Sequence, residues 1–128
     1  LRDIHEYILV FSKGLFSRGS TNGSKSTISK EEFLELTKSI WTFSAQSARS
    51  VGHPAPFSVE LPSRTIKLYT FEGDVVLDPF GGSGTTYDVC ERFGRHWIGM
   101  DLESCDVIVE RLRTESLKPH KSEDFVEE

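Results

Sequence analysis

The stretch that most constrains the fold is Val75-Val76-Leu77, which runs directly into Asp78-Pro79-Phe80-Gly81-Gly82-Ser83-Gly84-Thr85-Thr86. An aliphatic tripeptide with β-branched residues reads as a buried strand. Three glycines within four residues let the backbone turn sharply and approach a ligand closely. A helix is then predicted over 84–93, with Gly94 at its stop position. His96-Trp97-Ile98-Gly99-Met100 reads as a second strand ending in Asp101, followed by a helix over 104–114. A helix linking two short strands implies parallel pairing through a right-handed crossover. The class is α/β, a partial parallel sheet flanked by helices.

Upstream, Glu6-Tyr7-Ile8-Leu9-Val10-Phe11 is predicted as a buried strand closed by Lys13-Gly14. Residues 17–28 are Ser, Thr, Gly and Lys with little to bury, and read as a mobile loop. Ser29 with Glu32 makes a capping box for a helix over 30–40, with Phe33, Leu36, Ile40 and Trp41 at helical spacing. A helix over 59–70 tolerates Pro62 in its first turn and is expected to bury Leu61, Thr65, Leu68 and Tyr69. The chain divides into 1–50, 51–116 and an acidic tail over 117–128.

Charge separates these parts. Residues 1–50 hold seven basic against five acidic residues, whereas 51–128 hold eight against fifteen. An acidic surface is a poor grip for a phosphate backbone, so contact with nucleic acid falls to the N-terminal part or to further chain. No apolar run reaches the roughly 18–20 residues of a membrane span, and no secretory leader is visible, so the expected compartment is the cytoplasm. Cys90 and Cys105 lack metal-ligand spacing and read as buried, reduced thiols in helices; no metal site is expected. His5, His96 and His120 show no partner spacing.

Three ligand classes compete for the glycine loop. A triphosphate loop needs a lysine after its last glycine, and none follows Gly84. A dinucleotide loop needs a third glycine where Tyr87 stands, and Asp78 at the mouth repels a pyrophosphate. S-adenosylmethionine carries a sulfonium and an ammonium but no phosphate, so a carboxylate at a strand tip attracts it. Asp101, 23 residues after Asp78, stands at the next strand tip, where a carboxylate can accept ribose hydroxyls. Plain structural uses remain open: a turn cap for Asp78, a strand-end cap for Asp101, a core position for Phe80 and a surface loop for His53.

Residues 78–86, DPFGGSGTT, closely resemble motif I of the DNA methyltransferases that modify the exocyclic amino groups of adenine or cytosine. His53 to Thr70 resembles the motif X of that family, which in one subgroup directly precedes motif I, and 87–111 resembles motifs II and III. The segments around 2–14 and 29–43 are similar to those leading into motif X, so the resemblance covers roughly 2–113. It implies a Rossmann-like methyltransferase fold with S-adenosylmethionine as cofactor. Asp78, Phe80, Gly82, Ser83, Gly84 and Thr85 match positions around the methionine part of the donor. Asp101 matches the acid on the ribose, Leu102 lies near the adenine, and His53 and Pro54 open the motif X that closes over the methionine moiety.

The family's catalytic motif, a polar residue followed by two prolines and an aromatic, is absent: no two prolines are adjacent here. In the matching subgroup that motif lies upstream, and the sole methionine is Met100. The expectation is therefore a C-terminal portion whose catalytic half is missing or is another polypeptide. On this reading the full enzyme meets double-stranded DNA, within a restriction-modification system or outside one. A sheet edge left unpaired by the missing half is expected to promote self-association. The alternative is a non-catalytic module that holds a cofactor or a partner.

Overall fold

The computed structural model describes residues 5–15, 17, 19, 23–43, 58–102 and 105–116. Their elements are α1 (Lys30–Leu36), α2 (Glu60–Tyr69), β1 (Val75–Asp78), α3 (Thr85–Arg92), β2 (His96–Gly99) and α4 (Cys105–Ser116). The parallel pairing expected from the sequence is present: Val75 faces His96, Val76 faces Trp97, Leu77 faces Ile98 and Asp78 faces Gly99. α3 makes the crossover, and Gly94 follows its end with φ +68°.

The core lies on one face of this sheet. Ile66, Val89 and Cys90 form its buried centre, with Val59, Val76, Phe93 and Trp97 packed around them. Among the described residues no element covers the opposite face. Val75, Leu77, Ile98 and Met100 are all more than half exposed, correcting the expectation of buried strands. A strand alternates its side chains, so one layer of helices covers only every second residue.

Helix α2 turns a different stripe inward from the one expected. Pro62, Ser63 and Ile66 are buried, while Tyr69 is exposed and Leu61, Thr65 and Leu68 are half-buried. Hydrophobicity alone misplaces the stripe because Ser63 is spared a desolvation cost: its hydroxyl donates to the Val59 carbonyl at 2.7 Å. Arg95, also buried, ties the end of α2 to the start of β2, donating through Nε to Thr70 Oγ1 at 2.9 Å and through Nη2 to Thr70 O at 2.8 Å.

The capping box at Ser29 is present in both directions, Glu32 N–H to Ser29 Oγ at 3.0 Å and Ser29 N–H to Glu32 Oε2 at 2.9 Å. α1 is shorter than expected, ending at Leu36. The Trp41 indole donates to the Leu36 carbonyl at 2.9 Å, so this residue caps the helix end and does not extend the helix.

Residues 6–11 are not a buried strand. Tyr7, Leu9 and Phe11 are 73–84% exposed, and no described strand pairs with them. Strand propensity needs a neighbour to take up backbone N–H and C=O groups, and the described sheet has only two strands, paired with each other. Cys105 also departs from expectation: it opens α4 and is exposed, whereas Cys90 is fully buried. Among the described residues no helix is long and apolar enough to cross a membrane.

Candidate cofactor-binding site

The site is the turn from β1 into α3, framed by the tip of β2. Hydrogen bonds fasten the turn to both strands. Gly81 N–H donates to Met100 O at 2.9 Å, Met100 N–H to Asp78 O at 3.1 Å, and Gly84 N–H back to Gly81 O at 2.8 Å. Gly82 and Gly84 have φ of +52° and +80°, a region that disfavours any side chain. Space is also short at Gly84, where an added Cβ would meet Ile108 Cγ2 at 3.2 Å.

Both candidate carboxylates reach this turn. Asp78 Oδ1 accepts the Phe80 N–H at 3.0 Å, and Asp101 Oδ2 accepts the Gly82 N–H at 2.8 Å. The structural use expected of these acids is present, since each holds the turn that it flanks. Ser83 and Thr85 are buried with their hydroxyls 3.2 Å apart, at the start of α3. Phe80 is 84% exposed and Leu102 wholly so, which removes the core reading of Phe80 and leaves two bare apolar side chains beside the loop. His53 and Pro54 lie outside the described residues.

Tyr87, which had counted only against a dinucleotide loop, proves central. It is 1% exposed, its ring stacks on Trp97 at 4.5 Å, and its hydroxyl donates to Asp78 O at 3.0 Å. Burial, with Asp78 next in effect, raises the pKa of this phenol and keeps it a donor. The available signal was the glycine pair Gly81 and Gly99, whose missing side chains make room for a ring.

The geometry is thus a glycine turn of α/β type, with a carboxylate at the tip of each of two adjacent parallel strands. The chain belongs to the DNA methylase family, whose sequence profile matches residues 1–110. It is 61% identical over 56 residues to the type II methyltransferase M.BamHI of Bacillus amyloliquefaciens, covering 44% of this chain and 13% of that enzyme. It is 36% identical over 99 residues to M.BglI of Bacillus subtilis, covering 77% of this chain and 27% of the relative. The chain thus spans about a third or less of the curated relatives it matches. Among solved structures, a candidate DNA modification methylase from Thermus thermophilus superposes with a TM-score of 0.65 at 34% identity, over 80% of this chain and 43% of that one. The same protein solved with S-adenosyl-L-methionine gives a TM-score of 0.62 at 33% identity, over 80% and 41% of the two chains. The fold is thereby the Rossmann-like fold of methyltransferases, of which this chain carries a small parallel sheet and its flanking helices.

Proposed function

We propose that this chain is the S-adenosylmethionine-binding part of a DNA methyltransferase that transfers a methyl group to the exocyclic amine of adenine or cytosine. The observation that carries the reading is the Asp101 carboxylate fastened to the Gly82 amide, opposite Asp78 at the neighbouring strand tip. The residues suit the group chemically: acids, glycines and small hydroxyls favour a cationic nucleoside and offer no lysine to a phosphate. Asp101 accepts the ribose hydroxyls, Leu102 covers the adenine, and Asp78, Phe80, Gly82, Ser83, Gly84 and Thr85 surround the methionine part, with His53 and Pro54 closing over it. When bound, the cofactor supplies an electrophilic methyl group on a sulfonium.

Within 51–116 the chain's own work is to bind and orient. Holding the donor in one geometry turns a bimolecular encounter into a positioned one. Freeing the target amine's lone pair requires a polar-Pro-Pro-aromatic segment from other chain, because none of these residues supplies it. Double-stranded DNA is met by 1–50 or by that complement, which also covers the open sheet face; without it that face favours self-association. A DNA substrate sets the reaction in the cytoplasm, in a restriction-modification system or outside one. The absent motif also favours a second reading, a non-catalytic module that holds the cofactor for a partner.

Calorimetry tests the first step. S-adenosylmethionine is expected to bind and ATP is not, and Asp101→Asn is expected to weaken donor binding about tenfold or more. The amide retains an acceptor for the Gly82 N–H, so a folded variant that binds normally would sink the assignment. Adding an upstream methylase half and following methyl incorporation into DNA separates the enzymatic reading from the non-catalytic one.

A further inference from the structure

The turn at 81–84 has a prop beneath it that the loop motif does not include. At Gly81 an added Cβ would lie 2.8 Å from Tyr87 Cε2 and Cζ, and at Gly99 it would lie 2.9 Å from Tyr87 Cε1 and closer still to Cζ. The three nearest atoms at both positions all belong to Tyr87. Neither glycine has a positive φ, so backbone conformation does not demand glycine at either place. What excludes a side chain from both is the ring itself. Tyr87 therefore stands between the first residue of the turn and the last residue of β2, backed by Trp97 on its covered side.

The hydroxyl completes the wedge. The Asp78 carbonyl accepts from Tyr87 Oη and from Met100 N–H, while Met100 O accepts from Gly81 N–H. One phenol thus touches the junction from which both acids project: Asp78 at the end of β1, and Asp101 one residue beyond Met100. We propose that Tyr87 is a positioning residue for the methyl donor, setting the separation of the two strand tips so that Asp78 and Asp101 are held ready around the glycine turn. This rests on the donor-binding reading above and extends it to a residue that touches no ligand. Because Met100 still satisfies the Asp78 carbonyl, loss of the hydroxyl leaves no buried acceptor unpaired. A purely structural Tyr87 and a positioning one therefore differ in outcome.

The test uses the full chain with three readouts: thermal melting, amide exchange at Gly82 by NMR, and calorimetry with S-adenosylmethionine. Tyr87→Phe is expected to melt within a few degrees of the parent, to exchange the Gly82 amide faster, and to bind the donor about fivefold more weakly, the worth of one hydrogen bond. Gly99→Ala is expected to weaken binding further, and Gly99→Ala with Tyr87→Leu to regain part of the loss, because the new methyl then has room. Unchanged Gly82 exchange in Tyr87→Phe overturns the proposal whatever the donor does. So does a double variant no better than Gly99→Ala alone. If the parent chain takes up no donor, the donor-binding reading falls with it, while the exchange arm still decides whether Tyr87 props the turn.

Discussion

The two faces of the β1–β2 pair are built from the same kinds of residue and have opposite fates. Val76 and Trp97 lie under α2 and α3, whereas Val75, Leu77 and Ile98, in the alternate positions, are each more than half exposed. A doubly wound sheet is apolar on both faces because helices cover both, so residue type alone cannot say which face has its cover. The helix α3, which the glycine turn feeds, packs on the covered face. What the chain completes for itself is the support of the glycine turn.

The largest expected effect breaks the covered side. Ile66→Ala empties a site in the buried cluster and is expected to cost about 2–4 kcal/mol, read as a drop in melting temperature or denaturant midpoint. Leu77→Thr, on the open face, keeps a strand-forming residue and is expected to change stability by no more than about 0.5 kcal/mol. The same substitution should reduce association in sedimentation runs, because it removes exposed apolar surface. Comparable losses at Ile66 and Leu77 would mean that the open face is covered within this chain.

A sharper contrast comes from the thiols. Burial, partly offset by Arg95, pushes the Cys90 thiol up to about 11, whereas Cys105 is exposed at the start of α4. An alkylating reagent at pH 8 is therefore expected to label Cys105 in the native chain while Cys90 reacts about a hundredfold or more slowly, both reacting after unfolding. The linkage has a sign. The folded chain holds the Cys90 proton more tightly than the unfolded chain, whose thiol ionises near about 8.5. Stability from this group is complete below that value and falls as pH rises from there towards 11.

The strand–glycine turn–helix–strand order was legible because each step has a local cause: aliphatic runs, glycine turns and a stop at Gly94. Acids at both strand tips were legible for the same reason. Less visible were features that depend on what lies opposite. The inward stripe of α2 was missed because buried Ser63 satisfies its own hydroxyl within the helix. Residues 6–11 have strand composition but no described partner strand. Tyr87 appeared only as a mismatch to a glycine pattern, yet its ring fills the space left by two glycines distant in sequence. Composition records what a residue can do, and only the neighbour decides whether it does so.

A small effect is expected at the margin of the covered side, where α1 joins α2 through the Lys67–Glu32 ion pair at 2.5 Å. The Lys67 hydrogen bond, followed by that from the Ser29 backbone, holds the Glu32 carboxyl below its ordinary value, against a smaller opposing effect of burial. A depressed acid stabilises the fold above its unfolded pKa and loses that contribution as pH falls through the lowered folded value. Because the Glu32 side chain is 41% exposed, solvent screening limits the pair to under about 1 kcal/mol. Glu32→Gln is therefore expected to lower the denaturation midpoint slightly at pH 7. The gap to the parent should narrow in high salt and close under acid, once Glu32 is protonated. A gap that persists at low pH would show that the loss comes from the capping box with Ser29 and not from the ion pair across the margin.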